Sequence, residues 1–316
     1  MLRYRFLLGI LFVAGLAMLC WLDCKVTRPG AFLLPVALMV AWMGVVELLE
    51  IFNKRGRMPL PWVLYSGVLI IVLLSGLEVL WPEAVSSNVP GQLGWMSVGV
   101  IVGLYLALFG ELQRYDTKWH TTINLGLEAF SILYLGAALG FMVQLRLLSM
   151  EPKDPFGLTA PSGQAGMLAL VSLIAIVKMS DIGQYAVGRL IGRHKLAPLI
   201  SPGKTWEGVV GGLLFAIGGA FLVFGWAEPY IMGTPNQPAN LFGDPVHVVR
   251  LVIYAVAIAA AGILGDLAES VLKREAGVKD SSSWMPGFGG VLDLLDSLLG
   301  AAPIAYLLWV VGLVAP

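Results

Sequence analysis

The chain is short of charge, cysteine and histidine. Only 13% of its 316 residues are Asp, Glu, Lys or Arg, against about 25% in an ordinary soluble domain. With 58% apolar residues and a mean hydropathy of +0.83, too little polar surface is left to face water, so lipid must be the solvent. Neither sign of charge is in excess. The 20 basic and 20 acidic residues cancel, which removes the global field that draws a protein to nucleic acid. Two cysteines, Cys20 and Cys24, are too few for a disulfide framework or a zinc cluster. The three histidines, His120, His194 and His247, form no HxxxH pair, which argues against a histidine metal centre. Low-complexity tracts, a soluble domain and a convincing internal repeat are missing as well.

What is abundant is long apolar runs. A helix needs about 20 apolar residues to cross the hydrocarbon core. Such runs lie near 5–22, 32–52, 60–81, 94–112, 122–147, 166–188, 208–227, 251–272 and 289–314. No small-residue cleavage site follows Trp21-Leu22-Asp23-Cys24, so the first run is read as a span rather than a signal peptide. Turn formers fill the connections: Arg28-Pro29-Gly30, Val89-Pro90-Gly91, Pro152 to Pro161 and Pro229 to Pro245. The expected fold is all-α, a polytopic membrane protein with about nine transmembrane helices. Residues 1–165 hold about five and residues 166–316 about four, the latter with the motif-bearing loops, in one integral membrane domain overall.

Lysine and arginine set the orientation. With the N-terminus and the loops after spans two, four, six and eight on one side, fourteen of the 20 basic residues fall there. Five fall on the other side, and Lys178 lies within a span. The positive-inside rule puts the richer side in the cytoplasm. This predicts an inner-membrane protein with a cytoplasmic N-terminus, its motif loops on the side where nucleotide is available.

Spans six, eight and nine carry charge where charge is expensive. Span six holds Lys178 and Asp181, then Tyr185 and Arg189, the last three on one helix face. In span eight Asp266, Glu269, Ser270 and Lys273 share a face, and span nine opens with Asp293 and Asp296 one turn apart. An acid at the bilayer centre costs about 2.5–3.5 kcal/mol. Five of them facing lipid would cost roughly 12–17 kcal/mol, more than a marginally stable fold tolerates. They must therefore face water, partners or a cation, or sit solvated at the helix ends. Carboxylates from two helices suit Mg²⁺, which takes hard oxygen ligands together with substrate phosphates. Glu47, Glu50, Glu78, Glu111 and Glu128 have no clustered basic partners and read as interfacial or structural.

Two loops carry phosphate-binding vocabulary. The first runs from Gly192 through Lys195, Ser201, Lys204, Thr205 and Glu207 to Gly208. Its Gly203-Lys204-Thr205 is not a P-loop, because Pro198 stands where that motif needs glycine and no strand precedes it. What remains is two hydroxyls, a cation and a helix start whose N–H groups favour anions. A plain helix cap at Ser201-Pro202 is the alternative. The second loop sets Lys273, Arg274 and Lys279 before Gly289-Gly290, with Asp293 and Asp296 following. Cations, carboxylates and glycines together suit a metal-bound polyphosphate. A basic loop touching anionic headgroups would explain the lysines alone.

These blocks resemble the phosphatidate cytidylyltransferases (CDP-diglyceride synthases). The C-terminal signature of that family is matched by Ser270, Lys273-Arg274, Lys279-Asp280, Pro286-Gly287-Phe288-Gly289-Gly290, Asp293, Asp296 and Ser297. An upstream block matches through Asp181, Tyr185, Gly188, Arg189, Gly192, Lys195, Leu196, Pro198, Ser201-Pro202, Lys204-Thr205, Glu207-Gly208 and Gly211-Gly212. The resemblance covers about residues 175–300. Two positions depart from the pattern: Phe288 replaces a histidine, removing a donor or proton carrier, and Leu294 replaces an arginine, removing a cation.

The resemblance implies that phosphatidic acid attacks the α-phosphorus of CTP, giving CDP-diacylglycerol and pyrophosphate in phospholipid biosynthesis. Asp293, Asp296, Lys273 and Lys279 are then the expected catalytic residues. Asp266, Asp293 and Asp296 would hold Mg²⁺, with room for a second, monovalent cation. Asp181, Tyr185, Arg189, Lys195, Ser201, Lys204, Thr205, Glu207, Arg274, Gly289 and Gly290 would meet the substrates. Membrane lipids are expected partners, nucleic acid is not, and a homodimer is compatible with the reading. Two alternatives remain open from the residues. An ion- or proton-coupled transporter would use the intramembrane acids and Lys178 as a path, though no matching inverted halves are evident. A CTP-dependent enzyme acting on another lipid phosphate would use the same parts.

Overall fold

A computed structural model describes all residues except 1, 27, 83–90, 116–120, 149–162, 235–243, 283, 285–288, 315 and 316, and the side chains of 2–8, 10, 12, 91 and 92. The Val89-Pro90 and Pro152–Pro161 turns, most of the Pro229–Pro245 connection and Phe288 lie outside the described residues. The protein is an all-α polytopic membrane protein. Its helices are α1 (Leu2–Lys25), α2 (Leu33–Lys54), α3 (Pro61–Ser75), a four-residue α4 (Leu77–Leu80) and α5 (Gly91–Gln113). They continue with α6 (Thr121–Arg146), α7 (Gln164–Ile191), α8 (Trp206–Ile231), α9 (Pro245–Glu275) and α10 (Val291–Val310).

Each of the nine apolar runs forms helix, but among the described residues seven helices are long and apolar enough to cross a membrane: α2 and α5 to α10. The third run, read from sequence as one span, is broken. Its helix begins with Pro61 at the first turn, where the missing N–H does no harm, and stops at Gly76 after 15 residues. A side chain is excluded at Gly76 by Leu34, which packs where a Cβ would stand. The first run forms the 24-residue α1.

The chain divides into two compact units, Met1–Gln144 with Leu272–Leu295, and Leu145–Val271 with Asp296–Pro316. In the first, Val63 and Ile71 of α3, Met96 and Ala107 of α5 and Ile132 of α6 form a buried cluster. Gly67 and Gly103 let α3 and α5 approach backbone to backbone. Asp23 folds the turn into α2 by accepting the N–H groups of Gly30 (2.9 Å) and Phe32 (2.8 Å).

In the second unit α7 and α8 meet along glycines, the usual solution where lipid offers no hydrophobic drive and close backbone approach supplies the packing. A Cβ on Gly183 would stand 2.6 Å from the Gly211 carbonyl oxygen, and one on Gly212 3.1 Å from the Ser180 carbonyl oxygen. The family-like glycines 208, 211 and 212 are thus packing residues. Between these helices the loop, where no strand is expected before Gly203-Lys204-Thr205, is a two-stranded antiparallel hairpin, β1 (Lys195–Ala197) and β2 (Ser201–Thr205).

α9 and α10 cross at a second glycine contact. A Cβ on Gly300 would lie 2.7 Å from both the Ala261 carbonyl oxygen and the Gly265 Cα. This crossing sets the neighbours Asp266 and Glu269 beside Asp296. A Gly300→Val variant must push the helices apart. Overpacking of that kind costs about 1–3 kcal/mol, so a lowered unfolding midpoint in detergent is expected, and a wild-type midpoint would refute the crossing.

Candidate active site

The charged residues singled out from sequence assemble separately within each unit. In the second unit the hairpin delivers Lys204 to α9, where its Nζ lies 2.7 Å from Asp266 Oδ2. Lys178 pairs with Asp181 along α7 at 3.3 Å. Ser270 donates to Asp266 Oδ1 at 3.3 Å, and the Ser297 hydroxyl lies 3.5 Å from Asp181 Oδ1. Asp296 Oδ1 accepts the Ser297 N–H at 2.5 Å, and Glu269, one turn beyond Asp266 on α9, is fully buried. Asp266 is within electrostatic reach of both Asp181 and Asp296.

Four carboxyl groups therefore share this region with two ammonium groups, a formal excess of two negative charges. Carboxyls within electrostatic reach of one another inside a span favour a proton or a cation among them. The donor set is all hard oxygen, which fits Mg²⁺. Among the described residues no three His, Cys, Asp or Glu side chains form a ready-made metal cage. Mg²⁺ commonly takes only one or two protein carboxylates and completes its shell with phosphate and water.

The first unit holds the second constellation. Lys273 Nζ lies 2.5 Å from Asp293 Oδ1, and both side chains are largely buried. Asp293 Oδ2 accepts the N–H groups of Ser281 and Gly290, each at 2.8 Å, and lies 2.8 Å from the Ser281 hydroxyl oxygen. Reaching back from the first turn to Gly290, Asp293 closes the start of α10 like the acidic member of a capping box. Gly289 adopts a φ of 79°, and a Cβ there would collide with the Asp293 carboxylate.

The structure also reassigns several expected binding groups. Thr205, read as a phosphate-binding hydroxyl, is buried and caps α8 by accepting the Gly208 N–H at 3.1 Å. Glu207 accepts the backbone N–H groups of Arg193 (3.1 Å) and His194 (3.2 Å) and pairs with His194 Nδ1 at 2.6 Å. It thereby ties the end of α7 to the start of α8. Arg189 and Tyr185 are exposed and bonded to each other at 2.5 Å. Lys195, Arg274 and Lys279 are exposed, and Ser201 is half-buried. Arg274 reaches the Val278 carbonyl at 3.2 Å. Gly290 N–H is engaged by Asp293.

A model of the cytidylyltransferase family matches residues 4–311, nearly the whole chain. The chain belongs to this family. Cytidylyltransferase relatives include a Haemophilus influenzae protein, 44% identical over 138 residues, which are 44% of this chain and 44% of that one. A Brucella suis protein is 35% identical over 69% of each chain. A Bacillus subtilis protein is 29% identical over 87% of this chain and 88% of its own. All three carry the name phosphatidate cytidylyltransferase.

Two acidic residues read from sequence as lacking clustered basic partners are engaged in the fold. Glu111, expected to lack a basic partner, forms an ion pair with Arg114 one turn on. Glu47 is buried in α2, accepts the Trp284 indole N–H and the N–H groups of Val291 and Leu292, and lies 2.8 Å from the Ser281 hydroxyl. The only local hint of the latter is an acid on the apolar, buried side of a span.

Proposed function

We propose that the chain transfers the cytidylyl group of CTP to phosphatidate, giving CDP-diacylglycerol and pyrophosphate. Membership of the family and the name shared by the bacterial relatives support this reading. The observation that carries it is the acid-rich cluster beside Lys204, set within spans where such charge needs a function. A phosphate oxygen of phosphatidate attacks the α-phosphorus of CTP, and the bond to the β-phosphate breaks. The phosphomonoester is already a nucleophile, so the chain need not supply a strong base.

The obstacle is electrostatic, because two polyanions must meet. Lys204 would offset phosphate charge beside the acids of the second unit, and Lys273, Arg274 and Lys279 are the cations that the first unit can offer to a phosphate. Asp266 and Asp296 would hold Mg²⁺, which would supply Lewis-acid neutralisation of the phosphate oxygens. Asp293, whose oxygens accept from the Lys273 ammonium and from the N–H groups of Ser281 and Gly290, fixes Lys273. Exposed Lys195, Tyr185 and Arg189 lie at the rim, where an anionic headgroup or the nucleotide first lands. Counting α1 and α3 with the seven long helices gives nine spans, and with the basic residues clustered on one side this supports a cytoplasmic N-terminus and hairpin in an inner-membrane protein.

One assay tests activity and orientation together. Inverted and right-side-out vesicles carrying the chain are given labelled CTP, phosphatidate and Mg²⁺. CTP does not cross the bilayer, so labelled CDP-lipid is expected in inverted vesicles alone and is abolished by a chelator. Turnover with an isoprenoid phosphate but not phosphatidate would reassign the acceptor. Product in right-side-out vesicles only would reverse the orientation.

A further inference from the structure

Glu47 lies on α2, more than 230 residues from the groups it binds. Its Oε1 accepts the Val291 N–H at 2.7 Å and the Trp284 indole N–H at 2.9 Å. Oε2 accepts the Leu292 N–H at 2.9 Å and lies 2.8 Å from the Ser281 hydroxyl. The first N–H groups of a helix have no partner within it and attract an anion. At α10 that anion is the protein's own carboxylate, so these N–H groups are not a phosphate cradle.

Ser281 joins this carboxylate to Asp293. Its hydroxyl oxygen is 2.8 Å from Glu47 Oε2 and 2.8 Å from Asp293 Oδ2. One hydroxyl thus spans two carboxylates, and Asp293 in turn holds Lys273. Gly290 is glycine for the same reason: a Cβ there would overlap both the Ser281 hydroxyl and the Glu47 carboxyl. Glu47 binds the chain at Ser281 and Trp284 and again at Val291 and Leu292, directly before Asp293.

We propose that Glu47 is a positioning residue for cytidylyl transfer, acting through Ser281 and the first turn of α10 to fix the Asp293–Lys273 pair. The proposal rests on the activity given above. Glutamine at this position can accept from Val291 and Trp284, but its amide nitrogen faces the Leu292 N–H. Half of the arrangement is thereby lost while side-chain volume is kept.

The test uses the full chain in detergent with CTP, phosphatidate and Mg²⁺. It measures kcat, the KM for CTP and the number of CTP molecules bound per chain. Glu47→Gln is expected to lower kcat at least tenfold, with KM changed less than threefold and CTP stoichiometry intact. Ser281→Ala is expected to lower kcat severalfold, and the double variant by less than the product of the two. A purely structural role predicts the opposite: kcat per CTP-binding site stays at the wild-type value while the number of sites falls. That outcome, or wild-type kinetics, overturns the proposal. If Glu47→Gln does not fold, Trp284→Phe removes one donor from a half-exposed side chain and is expected to lower kcat a few-fold at unchanged KM. Unchanged kcat there overturns it equally. Wild-type chain assayed alongside keeps the questions apart, since a wild type that makes no CDP-lipid refutes the activity rather than the role of Glu47.

Discussion

Asp293→Asn is expected to lose both stability and turnover, and Lys273→Met added to it is expected to return only the stability. The Lys273 ammonium is largely buried, and Asp293 is its 2.5 Å partner. Removing one member of a buried pair strands the other charge, at a cost of about 3–5 kcal/mol. Replacing both by uncharged groups removes that penalty, and such exchanges are often neutral. The amide introduced by Asp293→Asn keeps an oxygen for the Ser281 and Gly290 N–H groups, so α10 still starts correctly. The unfolding midpoint of the double variant should therefore approach wild type. Turnover should stay at least about 100-fold down, the scale on which a preorganised charge at a reacting group acts. Recovery of activity along with stability would reduce the pair to a structural ion pair.

The second large effect concerns Lys204 and Asp266, which the hairpin and α9 hold 2.7 Å apart. They are assigned different roles, so their variants should differ in kind. Lys204→Met removes a cation that meets the triphosphate in the ground state and the transition state alike. Its main effect is a rise in the KM for CTP of about tenfold or more, on the principle that uniform binding appears in KM. Asp266→Asn removes an oxygen ligand for the metal. There kcat should fall at least about 100-fold, and the Mg²⁺ concentration for half-maximal rate should rise. Exchanging the two residues restores an ion pair across the same gap but neither role. If the swapped chain regains wild-type turnover, the pair serves the fold and not the nucleotide.

The contrast between the two units shows which parts of this site can be read from sequence. Asp181, Asp266, Glu269 and Asp296 are legible because each is an acid inside a run that otherwise matches a span, and the insertion penalty marks them one by one. Lys178 and Asp181 are three residues apart, so even their pairing is local. The nearness of Lys204 to Asp266 is not local: it depends on the hairpin and on the glycine seam between α7 and α8. The glycines are visible in the sequence, but nothing there distinguishes a packing glycine from a ligand-binding one. Thr205 illustrates the same ambiguity, since a hydroxyl before a helix is equally a cap and a phosphate donor. The helix of the third run stops at Gly76, whose side-chain space is filled by Leu34 of another helix, a tertiary fact without a local sign. Glu47 is the least legible, since all four of the groups it meets lie beyond residue 280.

The central physical claim is that the acids of α9 and α10 in the second unit bind a divalent ion together with the nucleotide. Mn²⁺ in place of Mg²⁺ makes this directly measurable by electron paramagnetic resonance on the detergent-solubilised chain. In the presence of a non-hydrolysable CTP analogue, bound Mn²⁺ is expected on the wild type, and its affinity should drop at least about tenfold in Asp266→Asn and in Asp296→Asn. Mn²⁺ bound equally well by wild type and by both variants, in chains that still bind the nucleotide, would contradict the account.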